Sequence, residues 1–280
     1  MKKNKIEFIG KSLLFDNSVL VIGDLHLGYE EALHNSGILV KADLYKQTIE
    51  DLEEIFSYIK KKNGKNASIK SSSDNYYIIN KLGRKAENKN RGQFKNKKGL
   101  RDERVDKIII LGDLKHEFGS ILREEWREVL DLVDYLNKKA KEIIVVKGNH
   151  DIFTDKIVKK KGINIVDYFI WRGFAFLHGD RDFKEIYNKK IKYWVVGHGH
   201  PAIVLEDKGG VKREKYKCFL IGKYRGKEII VIPSFFPLIE GSDPRDFNLG
   251  LVWNFDLDKF RVKIIDDNLN VWEFGELSKI

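Results

Sequence analysis

Eight side chains able to bind a divalent cation or move a proton sit in five short segments of this chain. They are Asp24 and His26 in Asp-Leu-His, Asp113 after Gly112, Asn149 and His150 in Gly-Asn-His-Asp, His178 before Gly179, and His198 and His200 in Gly-His-Gly-His. Two carboxylates, an amide and five imidazoles, with no thiolate among them, make a set of hard oxygen and borderline nitrogen donors. Such a set suits two divalent cations with a hydrolytic water between them. A carboxylate has two oxygens, so one Asp can bridge both ions. Asp24 and His26 alternate by two, as do His198 and His200, so each pair can face one way from an extended segment. Taken singly the segments are ordinary: Gly-Asp is a common turn, Gly-Asn-His-Asp suits an Asx-turn, and His178 alone reads as a core histidine. Their joint occurrence, each after an apolar run, is what points to a site.

Such a site needs strand ends to converge. Apolar runs at 19–22, 107–111, 142–146, 174–177 and 193–196 read as buried strands and stop just before the five segments. In open α/β sheets, functional groups gather beyond the carboxyl ends of strands, where Asp24, Asp113 and Asn149 would stand. The glycines at 23, 112 and 148 let the chain turn there and bring side chains close. Further strands are predicted at 6–9, 13–15, 163–166, 168–171, 203–205, 217–221, 228–232, 251–255 and 261–265. Asp43 is suited to cap a helix running to about residue 60. A second helix is predicted over 121–139, with Leu122, Trp126, Val129, Leu130, Val133 and Leu136 on its apolar face, and a short one near 183–189. Strands alternating with helices predict the α/β class, as a two-sheet sandwich (α+β in its layering) with flanking helices, one domain over 1–280.

Composition narrows the function classes. No apolar run reaches the ~18 residues a membrane span needs, and the longest, 229–239, is broken by Pro233, Ser234 and Pro237. No secretory leader is read in the Lys-rich N-terminus, and the single Cys218 cannot pair within the chain, so a cytoplasmic protein without a membrane partner is expected. The net charge of +10 resides wholly in 61–104, where ten Lys and four Arg face four acidic residues. That segment is too poor in apolar residues to fold alone, which predicts a basic, flexible insertion. It reads as a solvated surface loop, an ordered hairpin, or an arm that contacts DNA or RNA.

The blocks Asp-x-His, Gly-Asp-x-x-His, Gly-Asn-His-Asp, His-Gly and Gly-His-x-His, in this order from Asp24 to His200, resemble those of the calcineurin-like metallophosphoesterase superfamily. Asp-Leu-His-Leu-Gly at 24–28, Gly-Asp-Leu-Lys-His at 112–116, Gly-His-Gly-His-Pro at 197–201 and the stretch 232–241 resemble the archaeal SbcD-related branch. They are also similar to ligase-associated DNA-damage-response phosphoesterases. The resemblance implies a two-sheet metallophosphoesterase core and a phosphodiesterase or nuclease that hydrolyses a phosphate ester with a metal-bridging hydroxide. It implies one ion held by Asp24, His26, Asp113 and His200, and a second held by Asp113, Asn149, His178 and His198. Mn²⁺ is implied most readily, with Fe or Zn as the other choices. His150 would protonate the leaving alkoxide, help worth roughly 10²–10⁴ in rate. Asp151 would orient His150 or a ligand from behind. His116, three residues after Asp113, reads either as a side chain that faces the substrate or supports a ligand, or as simple loop packing. Alternatives are a scaffold that keeps the fold without catalysis and a small-molecule phosphoesterase. The scaffold predicts replaced donors, and none of the eight is replaced. With the chain ending at Ile280, no capping domain and no processive double-strand exonuclease action are expected.

Overall fold

The apolar runs pair into two sheets in the computed structural model, which describes residues 5–40, 43–71, 103–152, 154, 158, 161–207, 209–238 and 240–280. In the first sheet, β1 (Ile6–Ile9), β2 (Ser12–Phe15) and β3 (Val19–Ile22) form an antiparallel meander. The β2–β3 turn is left-handed at both Asp16 and Asn17, as a tight hairpin turn requires. Strands β4 (Val105–Leu111), β5 (Ala140–Val146) and β6 (Asn164–Val166) then add in parallel. The second sheet runs in the order β14 (Val271–Glu276), β13 (Arg261–Ile265), β11 (Arg213–Tyr224), β12 (Lys227–Val231), β9 (Tyr193–Val196), β8 (Phe174–Leu177) and β7 (Phe169–Trp171). Strand β10 (Ala202–Glu206) pairs with the outer part of β11.

Side-chain alternation along each strand splits the core in two. Val19 and Val21 of β3 face the second sheet and pack with Phe174, Phe176 and Val195, whereas Leu20 and Ile22 face the helices. Helices α2 (Leu44–Ser71) and α3 (Arg123–Lys139) cover the first sheet through Leu52, Ile55, Val129, Leu132, Val133 and Leu136. Asp43 caps α2, accepting a hydrogen bond from the Lys46 amide at 2.8 Å. Strand register decides where the loops emerge. Ile22 lies beside Ile110, Ile110 beside Val145, and Val196 beside both Leu177 and Val231. Three strands of each sheet therefore end level, and their following loops meet along one edge of the sandwich.

Several expectations change. Helix α2 does not stop near residue 60 but runs through Ser71. Lys and Asn do not break a helix, and Lys62 is tied to Glu7 while Tyr58 donates to the same carboxylate at 2.6 Å. The start of the basic segment is thus helical, Lys60 pairs with Glu103 at 2.7 Å, and residues 72–102 lie outside those described. Residues 251–255 are not a strand: Leu249, Trp253 and Phe255 alternate into the core, yet the segment lies over the outer face of the second sheet, packed with Trp194. Alternating burial here reflects a covering loop without ladder partners. That loop, with short 3-10 turns at Lys184–Tyr187 and Leu257–Lys259, covers the face where a flanking helix was expected. Trp126 is more than a third exposed, because α3 turns Val129, Leu132 and Leu136 inward instead. Helix α1 (Tyr29–Asn35) and edge strand β14 were not anticipated, the first being short with no buried residue.

Candidate metal centre

The loops that follow β3, β4, β5, β8, β9 and β12 are cross-linked before any side chain is considered. The amides of Asp24, His26 and Leu27 donate to the carbonyls of Gly112, Asp113 and Leu114 at 3.1, 2.8 and 3.1 Å. Across the sandwich, the His198 amide donates to the Asp24 carboxylate at 3.0 Å. The stretch after β12 clamps Asp24 from behind: Phe235 N donates to Gly23 O and Ser234 Oγ to Asp24 O, both at 2.9 Å. Asp24, His26, Asp113, His198 and His200 all hold a left-handed backbone, φ between 40° and 62°. A non-glycine residue there costs on the order of 1–3 kcal/mol and persists only where its surroundings hold it. Five such residues share this edge. Gly148 must be glycine for another reason, since a Cβ on it would enter the Asp113 carboxylate.

Side-chain donors converge in two groups that share Asp113. In the first, Asp24, His26, Asp113 and His200 bring one ligand atom each within 4.8 Å of the others. His200 Nε2 lies 3.3 Å from Asp24 Oδ1, and His26 Nε2 lies 3.8 Å from Asp113 Oδ2. In the second, Asp113, His178 and His198 do the same. His178 Nε2 is 3.4 Å from Asp113 Oδ2, 3.0 Å from His198 Nδ1 and 2.9 Å from Asn149 Oδ1. The far nitrogen of His178 donates to Leu111 O at 2.8 Å, which fixes the tautomer and leaves the Nε2 lone pair facing inward. His150 is set the same way: Nδ1 donates to His116 O, and Nε2 points to the centre, 3.9 Å from Asp113 Oδ2. His116 joins His26 and His150 in a third histidine group.

Electrostatics favour a cation here. Burial drives His26 well below the usual imidazole range, lowers His150, and brings His116 and His198 to about 4, with neighbouring histidines adding to the effect for all four. These rings are neutral near pH 7, so their lone pairs are available. Burial, with Asp24 and Asp151 nearby, pushes the Asp113 carboxyl up to about 7. Burial also opposes the charge on Asp24, but His200 and His178 outweigh it and hold that carboxyl low. Burial opposes the charge on His178 too, but Asp113 and Asp24 outweigh it and raise that ring. Inward lone pairs on the four neutral rings, with Asp24 and the shared Asp113 among them, fit divalent ions in donor chemistry and in charge.

Asp151 lies behind Asp113 and His150, near enough to act on the charge of both. Fully buried, it accepts from Gly148 N at 2.9 Å, Leu114 N at 3.1 Å and Thr154 Oγ1 at 3.0 Å, tying the loop of Asp113 to the loop of Asn149. Sequence reasoning missed two more carboxylates. Glu125 accepts from the amides of His116 and Glu117 at 2.9 and 2.8 Å, and Glu128 accepts from Gly28 N at 2.8 Å. Both lie on the buried face of α3, beside Val129 and Leu132. Acidic residues at core spacing in an amphipathic helix were the signal. Lys115, also fully buried, lies 4.0 Å from Glu125.

A family model described as calcineurin-like phosphoesterase matches residues 18–265. The chain belongs to that family. The family indicates a metal-dependent phosphoester hydrolase, and a phosphoester substrate accords with it. Among solved structures, a nuclease MPE from Pseudomonas putida is similar over 97% of this chain and 100% of that one, at 16% identity and a TM-score of 0.55. A single mutant of Vps29 from Entamoeba histolytica matches 61% of this chain and 84% of its own, at 15% identity and a TM-score of 0.28. A search of curated sequences gives no significant match. No helix among the described residues is long and apolar enough to cross a membrane.

Proposed function

We propose that this chain is a binuclear phosphodiesterase that acts on nucleic acid. The observation that carries the reading is the pair of donor groups sharing Asp113. Asp24, His26, Asp113 and His200 would hold one ion, and Asp113, Asn149, His178 and His198 the other. Bound divalent cations, Mn²⁺ before Fe or Zn, would supply an activated water and polarise the phosphoryl oxygens. The chain's own part is to keep His26 and His198 neutral, to offer one carboxylate to both donor groups, and to relay a proton. His150 does the last: its Nδ1–H is held by His116 O, so Nε2, unprotonated in the resting neutral ring, is the atom that takes up a proton at the centre and passes it to the leaving oxygen.

Nucleic acid is favoured over a small phosphodiester by three supports of unequal weight. The structural neighbour from Pseudomonas putida is named as a nuclease. The SbcD-related motif text points the same way, and residues 61–104 hold the whole net positive charge. A cytoplasmic setting agrees with the buried free thiol of Cys218.

Metal-stripped protein resupplied with Mn²⁺ is expected to hydrolyse bis-p-nitrophenyl phosphate. Asp113→Asn and His200→Ala should each lower kcat/KM at least ~100-fold, the scale for losing charge stabilisation in the transition state. Full activity in both variants rejects the assignment.

A further inference from the structure

One wall of the centre is a continuous row of rings. Phe236 lies 5.7 Å from Tyr29, Tyr29 lies 4.0 Å from His116, His116 stacks on His150 at 5.6 Å, and His150 meets Phe118 at 3.9 Å between centroids. Phe236 is buried and the row opens outward until Phe118, which is 47% exposed. A large ring left half in water is not there to fill the core.

Phe118 is also held firmly for a residue at a loop tip. Lys115, with no exposed surface, donates to the carbonyls of Glu117 and Ser120 on either side of it. Glu125 holds the amides of His116 and Glu117, and the Glu117 carboxylate accepts from the Phe118 amide at 3.1 Å. Burying a Lys–Glu pair is expensive unless further hydrogen bonds to both groups repay the lost hydration. Here it fixes a loop whose outermost side chain leans on the proton-donating ring.

We propose that Phe118 is the platform of a base-binding subsite: it stacks the nucleobase next to the scissile phosphate. The inference rests on the phosphodiesterase reading for its substrate. A leaving oxygen must come within hydrogen-bond reach of His150 Nε2, and whatever that oxygen carries leaves past the exposed side of His150, where Phe118 stands. Any base presents a π-face, so such a platform favours nucleotides without selecting sequence.

Binding, measured by calorimetry on Mn²⁺-supplied protein, separates this from the reading beneath it. The probes are thymidine 5′-monophosphate, ribose 5-phosphate and inorganic phosphate. Wild type should bind the nucleotide roughly tenfold or more tighter than the sugar phosphate, the usual scale of base–aromatic stacking. Phe118→Ala should erase that preference and leave phosphate affinity unchanged, and Phe118→Trp should keep it. Absence of the preference in wild type, or its survival in Phe118→Ala, overturns the subsite. Equal weakening of all three probes in Phe118→Ala also overturns it, as it would mark a residue that only supports His150. A preference that behaves as expected in protein unable to cleave any diester keeps the subsite and removes the phosphodiesterase.

Discussion

Replacing Asp151 by Ala tests whether one buried carboxylate holds the two loops that carry Asp113 and Asn149. The side chain accepts three hydrogen bonds, from Gly148 N, Leu114 N and Thr154 Oγ1, and has no exposed surface. A buried donor left without its acceptor costs about 1–3 kcal/mol. Three at the middle of that range would cost ~6 kcal/mol. The loops border the open edge of the sandwich, where water recovers part of the loss, so ~3 kcal/mol is expected. For a chain near this size that is a fall in Tm of roughly 6–12 °C. Asp151→Asn keeps an acceptor but turns an amide donor toward a backbone donor, and should lose about half as much. Thermal melts followed by circular dichroism read the stability. Mn²⁺ titration of ester hydrolysis reads the coupling to the site, where loosened support should raise the half-activating concentration about 10–100-fold. An Ala variant that melts within about 2 °C of wild type and half-activates at the same Mn²⁺ concentration would refute the reasoning.

Two further outcomes follow from residues behind and beside the site. Burial raises the Glu128 carboxyl to about 7, while the same group ionises near its ordinary value in the unfolded chain. Between those values the folded chain binds more protons, so stability is greatest below the unfolded value and falls as pH rises to about 7. Glu128→Gln keeps an acceptor for Gly28 N and should remove that decline, on the order of 1 kcal/mol after allowance for solvent, in urea midpoints from about pH 5 to about pH 8. A variant whose midpoints fall as steeply as wild type contradicts the assignment. Residues 72–102 carry nine basic and three acidic residues. Exchanging them for a short neutral linker should weaken single-stranded DNA binding and flatten its salt dependence by ~0.7 for each phosphate no longer neutralised, with turnover of the model ester unchanged. Equal affinity and slope would remove the polyanion role for this segment.

Local sequence carried much of this protein. The runs before Asp24, Asp113, Asn149, His178 and His198 form strands because Val, Ile and Leu suit a sheet buried on both faces, and such a preference is written in the residues themselves. Candidate donors could be named for the same reason, since the capacity to coordinate depends on chemical type. What lay beyond reach depended on neighbours far along the chain. Residues 251–255 alternate like a strand but find no ladder partner, and Lys62 continues a helix because Glu7, far back in the chain, receives it. Which donors share Asp113 is set by the level register of β3, β4, β5, β8 and β9. The left-handed turns at Asp24, His26, Asp113, His198 and His200 exist only because hydrogen bonds from other loops hold them there. Glu125 and Glu128 acquire their part from amides that tertiary packing delivers. Residue type and order are local properties of the chain. The facing of lone pairs and the burial of charge arise only when distant segments are packed together, and these the tertiary structure decided.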